Sequence, residues 1–448
     1  MLDVLNEFHQ TVNGLVWGPP MMVLLIGAGI VLTFATRGVQ FRQLGFAFRE
    51  VLGKLFQPAS GEGTVTPFQA LATALASTVG VGNIAGVSTA IYLGGPGSVF
   101  WLLVSGIVGM ATKYSEIAIA LNYREKDDRG IVRGGAMYVL SKGLGLRWLG
   151  TIFAALTALA AFGIGNMVQA NSVAEAAQTG FGIPPWASGL ALCGLTALVV
   201  LGGIQRIAEV TQFLVPFMCA VYFLGSLWIL VAYIDQIPHV AGLVLSSAFE
   251  GQAAAGGFAG ATVASAVRYG IARGMFSNEA GLGSAPMVHS SAVTDHPARQ
   301  ALYGIFEVFV DTIVVCLLTA FVVLATGVWQ SGETGAAMAA RAFETGLPGV
   351  WGGLIVSVAL ILFAFSSVIG WAYYGETGAT YLFGTKVSMP YRLLWIGFVY
   401  LGATGSLHVI WDLADTLNGL MALPNLIGVL GSLHVVTRLT REFFAKNR

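Results

Sequence analysis

The sequence predicts an all-α polytopic membrane protein: eleven transmembrane helices in a five-plus-five inverted repeat, with two discontinuous helices and one N-terminal peripheral helix. Three observations predict it. Of the 448 residues, 56% are hydrophobic and only 10% charged, with a mean hydropathy of +0.77, too apolar for an ordinary soluble domain. The apolar residues fall into runs of about 20, the length that crosses a bilayer. Lys and Arg gather in alternate connections between those runs, as cytoplasmic loops require.

The runs lie near 15–35, 67–93, 97–121, 148–176, 186–204, 207–232, 253–275 with a broken continuation to 290, 301–327, 350–383, 391–408 and 413–436. Residues 1–14 hold Asp3 and Glu7 but no Lys or Arg. A secretory signal starts basic, so the first run reads as a retained helix.

With the N-terminus outside, the inward connections collect nearly all basic residues, from Arg37, Arg42, Arg49 and Lys54 through Arg124–Arg147 to the tail Arg438–Arg448, while the outward ones hold Arg341 alone. Lys113, Arg268 and Arg273 fall within spans and are read toward their inward ends. This places the C-terminus in the cytoplasm and the chain in the plasma membrane. Two connections are long enough for structure of their own. Residues 127–146 read as an inward loop with an amphipathic piece, Ala136 to Ser141, on the membrane surface. Residues 235–252 read as an outward cover of the external mouth. No linker interrupts the chain, so 1–448 reads as one transmembrane domain, with a peripheral helix at 15–35, a first repeat at 67–232 and a second at 253–436.

The net charge of zero offers no basic surface for nucleic acid. Cys193, Cys219 and Cys316 all lie in apolar runs, which fits small core residues rather than a disulfide framework. The six histidines form no metal spacing, and no cofactor is expected.

The stretch Thr78-Val79-Gly80-Val81-Gly82-Asn83-Ile84-Ala85-Gly86 interrupts the second run with three glycines and an asparagine. Such glycines can simply pack two helices closely. Unwound or polar backbone at membrane depth, however, survives only when buried in protein or lining a cavity, which reads as a broken helix with a binding site at the break. Gly80-Val81-Gly82-Asn83-Ile84-Ala85 has a counterpart, Gly281-Leu282-Gly283-Ser284-Ala285-Pro286, displaced by 201 residues. Each opens a set of five helices, and an odd number of spans per half inverts the second half relative to the first. At such breaks free N–H groups hold a carboxylate and free carbonyls hold a cation. A zwitterionic amino acid with Na+ uses both ends, and Na+ wants oxygen ligands.

From Gly95-Pro-Gly-Ser-Val-Phe-Trp101 to Gly109-Met-Ala-Thr-Lys-Tyr-Ser-Glu116, the sequence closely resembles the alanine or glycine:cation symporters of bacteria and archaea. Ala76-Ser-Thr-Val-Gly-Val-Gly-Asn-Ile-Ala-Gly86 and Phe276-Ser-Asn-Glu-Ala-Gly-Leu-Gly-Ser-Ala-Pro286 extend that resemblance. It implies a sodium-coupled importer of alanine or glycine with the architecture of the bacterial leucine transporter. By that resemblance the N–H groups of Val81 and Gly82, beside Gly80, receive the substrate carboxylate, and the carbonyl of Thr78 with the side chain of Asn83 ligates a cation next to it. Phe276 lies against the substrate, with Ser277 near the amine or ion and Gly281 in the second break. A second sodium position is implied at the carbonyls of Ala76 and Val79 with the hydroxyls of Ser366 and Ser367. Gln169 and Trp371 complete the implied substrate site.

Plainer readings stand beside these. Ser366 and Ser367 are also placed to bond back to the preceding turn, and Phe276 and Trp371 are also ordinary core aromatics. Ionisable residues inside spans are functional candidates: Glu116 with Lys113 three residues before it reads as an ion pair or a gate, and Glu279, Glu307 and Asp311 as structural groups or proton carriers. A channel would need a continuous polar file or a charged ring, and an enzyme a His or carboxylate cluster or a nucleophile motif; the sequence shows neither. The nearest alternative to a sodium symporter is a proton-coupled carrier of small amino acids. The expected partners are the small-molecule substrate and the lipid bilayer.

Overall fold

The computed structural model describes residues 14, 16–55, 57, 60–250, 262–405 and 408–446. The start of the first predicted run at 15, the end of the outward connection at 251–252 and the start of the predicted second repeat at 253–261 lie outside the described residues.

The chain is helical almost throughout. Helix α1 (Pro19–Ala35) begins with prolines whose missing N–H costs nothing in a first turn and ends where the Thr36 hydroxyl turns back to the Leu32 carbonyl at 2.7 Å. A short surface helix α2 (Leu44–Gly53) follows. Helix α3 (Pro67–Thr78) opens with a capping box: the Gln69 N–H donates to the Thr66 hydroxyl at 3.2 Å and the Thr66 N–H to the Gln69 side chain at 3.0 Å. These satisfy two N–H groups that a helix start leaves free. Helix α3 stops at Val79, and α4 (Gly82–Gly94) departs at 52° to it.

The long helices α5 (Ser98–Asn122), α6 (Arg147–Phe181) and α8 (Gly203–Ala232) complete the first half, with α7 (Pro185–Val200) between the last two. A hairpin of β1 (Glu125–Lys126) and β2 (Val132–Arg133) links α5 to α6, and α9 (Ile237–Glu250) follows α8. The second half holds α10 (Val263–Asn278), the short α11 (Ala285–His289), α12 (Pro297–Ala325), α13 (Gly335–Gly346), α14 (Trp351–Phe383), α15 (Ser388–Thr404), α16 (His408–Gly431) and α17 (Leu433–Lys446). Among the described residues six helices are long and apolar enough to cross a membrane, or seven when the bent pair α3–α4 counts as one span.

The outer flanks are apolar: Phe213, Phe217, Leu224, Trp228 and Val231 of α8 are exposed, as are Trp186, Leu190 and Leu198 of α7. Exposed apolar belts of this kind suit lipid rather than water. The interior is the reverse, with Lys113, Glu307, Asp311 and Asn83 fully buried. Helix α5 packs against α10 and α12, α3 against α8 and α14, and α6 against α14, so both helix interruptions lie inside the bundle.

Four expectations need correction. The run predicted as 413–436 ends at Gly431; Ser432 separates it from α17, whose charged residues lie along one side of an amphipathic helix. The Ala136–Ser141 piece does not lie on the membrane surface, because Ala136 through Leu140 are buried against α6 and α16. Arg268 and Arg273 are not near the end of their run, where they are expected. Helix α10 stops at Asn278 and the chain resumes only at Ala285, so these arginines fall in the half that faces Trp17 and Asp415. Finally, Lys113 pairs with Glu307 at 3.3 Å, not with Glu116 on its own helix.

Candidate functional site

The first interruption is organised by Asn83. Its Oδ1 accepts the Gly80 N–H at 2.9 Å, standing in for the helical acceptor lost where α3 ends. The first turn of α4, Gly82–Gly86, is widened into π-helical form, a distortion that recurs at 161–167 of α6 and 309–316 of α12. Insertions of this kind gather at functional sites. Asn83 Nδ2 donates to Asp311 Oδ1 at 2.6 Å and lies 3.3 Å from Cys316 Sγ, while Thr319 Oγ1 donates to the Asn83 carbonyl at 2.8 Å.

Asp311 also reaches the second interruption. Its Oδ2 accepts the Ser277 hydroxyl at 2.9 Å and the Thr312 hydroxyl at 2.9 Å. One carboxylate therefore joins Asn83 at the first break to Ser277 in the last turn of α10, beside the second. All three side chains that hydrogen-bond to it are neutral, and a buried carboxylate surrounded by neutral dipoles calls for a cation or a proton.

The second break runs from Glu279 to Ser284. Glu279 takes a left-handed conformation (φ 55), and Gly281 (φ 96) and Gly283 (φ 78) follow in conformations that favour glycine. The Gly281 N–H donates to Glu116 Oε1 at 3.0 Å, and Asn425 Nδ2 donates to the Gly281 carbonyl at 2.9 Å and to the same Glu116 oxygen. Helices α5 and α16 thus hold open peptide groups that no helix satisfies.

A cavity of about 220 Å³ lies beside the first break, lined by Val81, Gly82, Gln169 and Phe276 with Ala85, Gly86, Thr89, Ile164 and Val168, and by Arg273, Ala414 and Asp415 at its rim. Gln169 Nε2 donates to the Ile164 carbonyl at 3.0 Å, whereas its Oε1 is buried without a hydrogen-bond partner. Phe276 also lines a neighbouring cavity of about 280 Å³ that Trp17, Arg268, Arg273 and Asp415 share. Its ring lies 6.1 Å from that of Trp17 and 5.7 Å from the Arg273 guanidinium, so it stands between the two spaces.

A cluster of ion pairs ties α14 and α15 to the β1–β2 hairpin. Glu376 receives Arg392 at 2.7 Å and 2.9 Å and Arg133 at 3.2 Å, and Arg133 also binds Asp127 at 2.8 Å. Arg124 donates to the carbonyls of Ser290, Ala292 and Glu62, clamping the end of α11 to the hairpin. Asp127 lies outside the spans. Burial raises its carboxyl, but hydrogen bonds from Arg133 and from the Ile131 and Arg129 N–H groups outweigh this and hold it below the usual value.

The structure thus brings Val81, Gly82, Gln169 and Phe276 to one cavity, with Gly80 adjoining: a Cβ there would lie 2.7 Å from Ser367 Oγ and 3.7 Å from Gln169 Oε1. Ser366 Oγ lies 3.0 Å from the Ala76 carbonyl and Ser367 Oγ 3.5 Å from that of Ser77, and both also bond back to Phe363. The Thr78 hydroxyl turns back to the Ala74 carbonyl, and Val79 is fully buried at the end of α3. Trp371 and Gly281 do not line the cavity. Trp371 packs against Gly165, where a Cβ would come 2.2 Å from its own. Asp311, Arg273 and Asp415 are the residues that sequence reasoning did not place in the site. Asp311 was visible as an ionisable group inside a span; nothing in the linear order tied it to Asn83.

A model of the sodium:alanine symporter family matches residues 2–448. The sodium/alanine symporter AgcS of Methanococcus maripaludis is 48% identical over 442 residues, 97% of this chain and 96% of that one. An uncharacterized transporter of Haemophilus influenzae is 43% identical over 445 residues, 99% of this chain and 97% of its own. A solved structure of a manganese transporter from Eremococcus coleocola shares the fold at a TM-score of 0.53 and 13% identity, covering 85% of this chain and 89% of that one. With discontinuous helices meeting at a buried carboxylate and this likeness along the entire length, the chain is a multi-pass membrane transporter, not an enzyme, and belongs to the sodium:alanine symporter family.

Proposed function

We propose that the protein is a sodium-coupled importer of alanine and glycine that works by alternating access. The observation that carries this reading is the Asp311 carboxylate, buried among neutral partners and shared by both helix breaks. A sodium ion beside the Asp311 carboxylate and the Ser277 hydroxyl, at the junction that Asn83 holds, neutralises that charge and ties the two breaks together. A second sodium ion fits between the Ala76 and Val79 carbonyls and Ser366 and Ser367, whose hydroxyls already lie against the carbonyls of α3. The substrate occupies the 220 Å³ cavity, its carboxylate toward the N–H groups of Val81 and Gly82 and its ammonium toward the unpartnered Gln169 Oε1. Phe276 lines the cavity at its side.

Eleven spans in a five-plus-five inverted repeat, forming a single domain, follow from adding α1, α7, α10–α11 and α15 to the seven apolar spans. The N-terminus then lies outside, the C-terminus in the cytoplasm, and the chain in the plasma membrane. In that orientation the cavity communicates outward past Phe276, and the Glu376 and Arg124 clusters seal the inner face. A proton-coupled carrier is the second reading, favoured by the same carboxylate, since a proton also neutralises it.

Equilibrium binding of radiolabelled alanine to the purified protein tests the site. Binding that strengthens with sodium and is displaced by glycine supports the proposal; binding indifferent to sodium at constant ionic strength contradicts it.

A further inference from the structure

On the basic face of the molecule, away from the cavity under Phe276, lies a second cavity of about 530 Å³, lined among others by Glu50, Lys54, Asp295, Arg299, Tyr303 and Gln300. Gln300 connects it to a line of buried groups. Its Nε2 lies 3.0 Å from His289 Nδ1; His289 Nε2 lies 3.0 Å from Glu307 Oε2; and Glu307 Oε1 lies 3.3 Å from Lys113 Nζ. All four side chains are at most 1% exposed. The transport site described above uses none of them.

Two features mark this line as more than packing. First, carboxyl groups outnumber amines: Lys113 pairs with Glu307 at 3.3 Å, and the carboxyls of Glu116 and Glu279 also lie within electrostatic range of this one ammonium. Buried charges without partners are costly, so the cluster accommodates a further cation. Second, Gln300 Oε1 is buried without a hydrogen-bond partner, beside an imidazole that its own amide already contacts through Nε2.

We propose that His289 is a proton-binding site, loaded from the 530 Å³ cavity by way of Gln300. In the neutral state the Gln300 amide N–H donates to His289 Nδ1, and the Nε2–H donates to Glu307. A proton delivered by water in the cavity adds to Nδ1, the amide turns over, and Gln300 Oε1 accepts the new N–H. Both ring nitrogens are then donors with acceptors in place. Glu307 and Gln300 of α12 contact the imidazole; the other titratable or charged groups near it on the elements packed against α11 are Lys113 and Glu116 of α5 and Tyr373 and Tyr374 of α14, with Glu279 in the break and Arg124 holding the adjoining Ser290 carbonyl. Helix α3, also packed on α11, brings hydroxyls but no charge.

The site joins α11, the segment just after the second break, to α12, which carries Asp311. An imidazolium turns the His289–Glu307 contact into a charge-assisted hydrogen bond and holds these elements together. Acid on the basic face therefore keeps that face shut and slows transport.

Nuclear magnetic resonance of the full-length protein, labelled with nitrogen-15 at its six histidines, tests the proton site without any substrate. The expected result is one buried imidazole that passes from a single N–H tautomer to the doubly protonated form on acidification. That signal is absent in His289→Gln. In Gln300→Leu, which removes the acceptor but leaves the ring, the doubly protonated signal is lost or weakened, and this variant supplies the assignment should His289→Gln not fold. A His289 ring that keeps one tautomer throughout overturns the proposal. The coupling rests on the transport function proposed above and is read separately. Alanine uptake into right-side-out membrane vesicles should fall about three- to tenfold as the basic face is acidified, an effect the size of one charge-assisted hydrogen bond, and His289→Gln should abolish the fall. Uptake flat with pH on that face, alongside a titrating ring, overturns the coupling. Absence of alanine uptake at every pH counts against the transport reading, and the spectra still decide the proton site.

Discussion

Asn83 and Asp311 are joined by a 2.6 Å hydrogen bond across 228 positions of sequence. The amide that caps the first helix break through its oxygen thus uses its nitrogen to aim a carboxylate from α12 toward the second break. Asp311→Asn preserves the size and most hydrogen bonds of this side chain while removing its charge. Under the proposed mechanism the sodium concentration for half-maximal alanine uptake rises at least about tenfold, or about 1.4 kcal/mol. An unchanged sodium dependence removes Asp311 from the cation site.

Gly82 faces the cavity, and a Cβ there lies 3.6 Å from the Phe276 ring, an ordinary contact. Gly82→Leu extends its side chain into the cavity, so alanine binding is lost while the melting temperature stays near that of the wild type. Gly165 contrasts with it: its Cβ would come 2.2 Å from Trp371 Cβ, so Gly165→Ala should cost about 1–3 kcal/mol of stability by overpacking. Scanning calorimetry together with alanine binding separates the two. Normal uptake by Gly82→Leu contradicts the placement of the substrate.

Ser366 and Ser367 satisfy two roles at once, bonding back to Phe363 and lying against the carbonyls of Ala76 and Ser77. Ser367→Ala should raise the sodium requirement severalfold and leave alanine affinity at saturating sodium unchanged. If sodium titrations of the variant and the wild type superimpose, the hydroxyl serves packing alone.

Glu376 holds Arg392 and Arg133 on the sealed face. Glu376→Gln leaves two buried guanidinium groups short of a counter-charge, a loss of about 3–5 kcal/mol for a buried pair. Amide exchange in the β1–β2 hairpin should therefore accelerate by at least about a hundredfold. Exchange at the wild-type rate would show that the cluster does not hold this face closed.

Asp127 supplies a pH-dependent part of the same seal. Its folded-state pKa lies below the ordinary 3.8, so its contribution is complete above that value and is lost as the pH falls through the lower, folded one. Asp127→Asn should lower the melting temperature at neutral pH, and the difference from the wild type should shrink only in acid below about pH 4. A difference constant down to pH 3 contradicts the assignment.

What the sequence made legible was local. Three glycines and Asn83 inside an apolar run announce a break, and the partner break at Gly281 follows from the same composition. The helix-to-helix links were not legible, because they pair residues far apart in the chain, Asn83 with Asp311 and Gly281 with Glu116 165 residues away, or, as with Gln300 and His289, residues on helices whose mutual packing the linear order does not state. Hydropathy put Arg268 and Arg273 at the end of the first segment, near 275, whereas the run continues past the break to α11 and leaves them in its earlier half. It likewise put Ala136–Ser141 at the membrane surface, since an amphipathic pattern is the same whether the apolar side meets lipid or, as here, α6 and α16.

The most direct measurement is uptake of labelled alanine into proteoliposomes under a sodium gradient and, separately, a proton gradient. The expected result is accumulation driven by inward sodium at equal pH on both sides, collapsed by Asp311→Asn, with little accumulation from a proton gradient in sodium-free medium. Accumulation driven by the proton gradient alone and indifferent to sodium would contradict sodium coupling at the Asn83–Asp311–Ser277 junction.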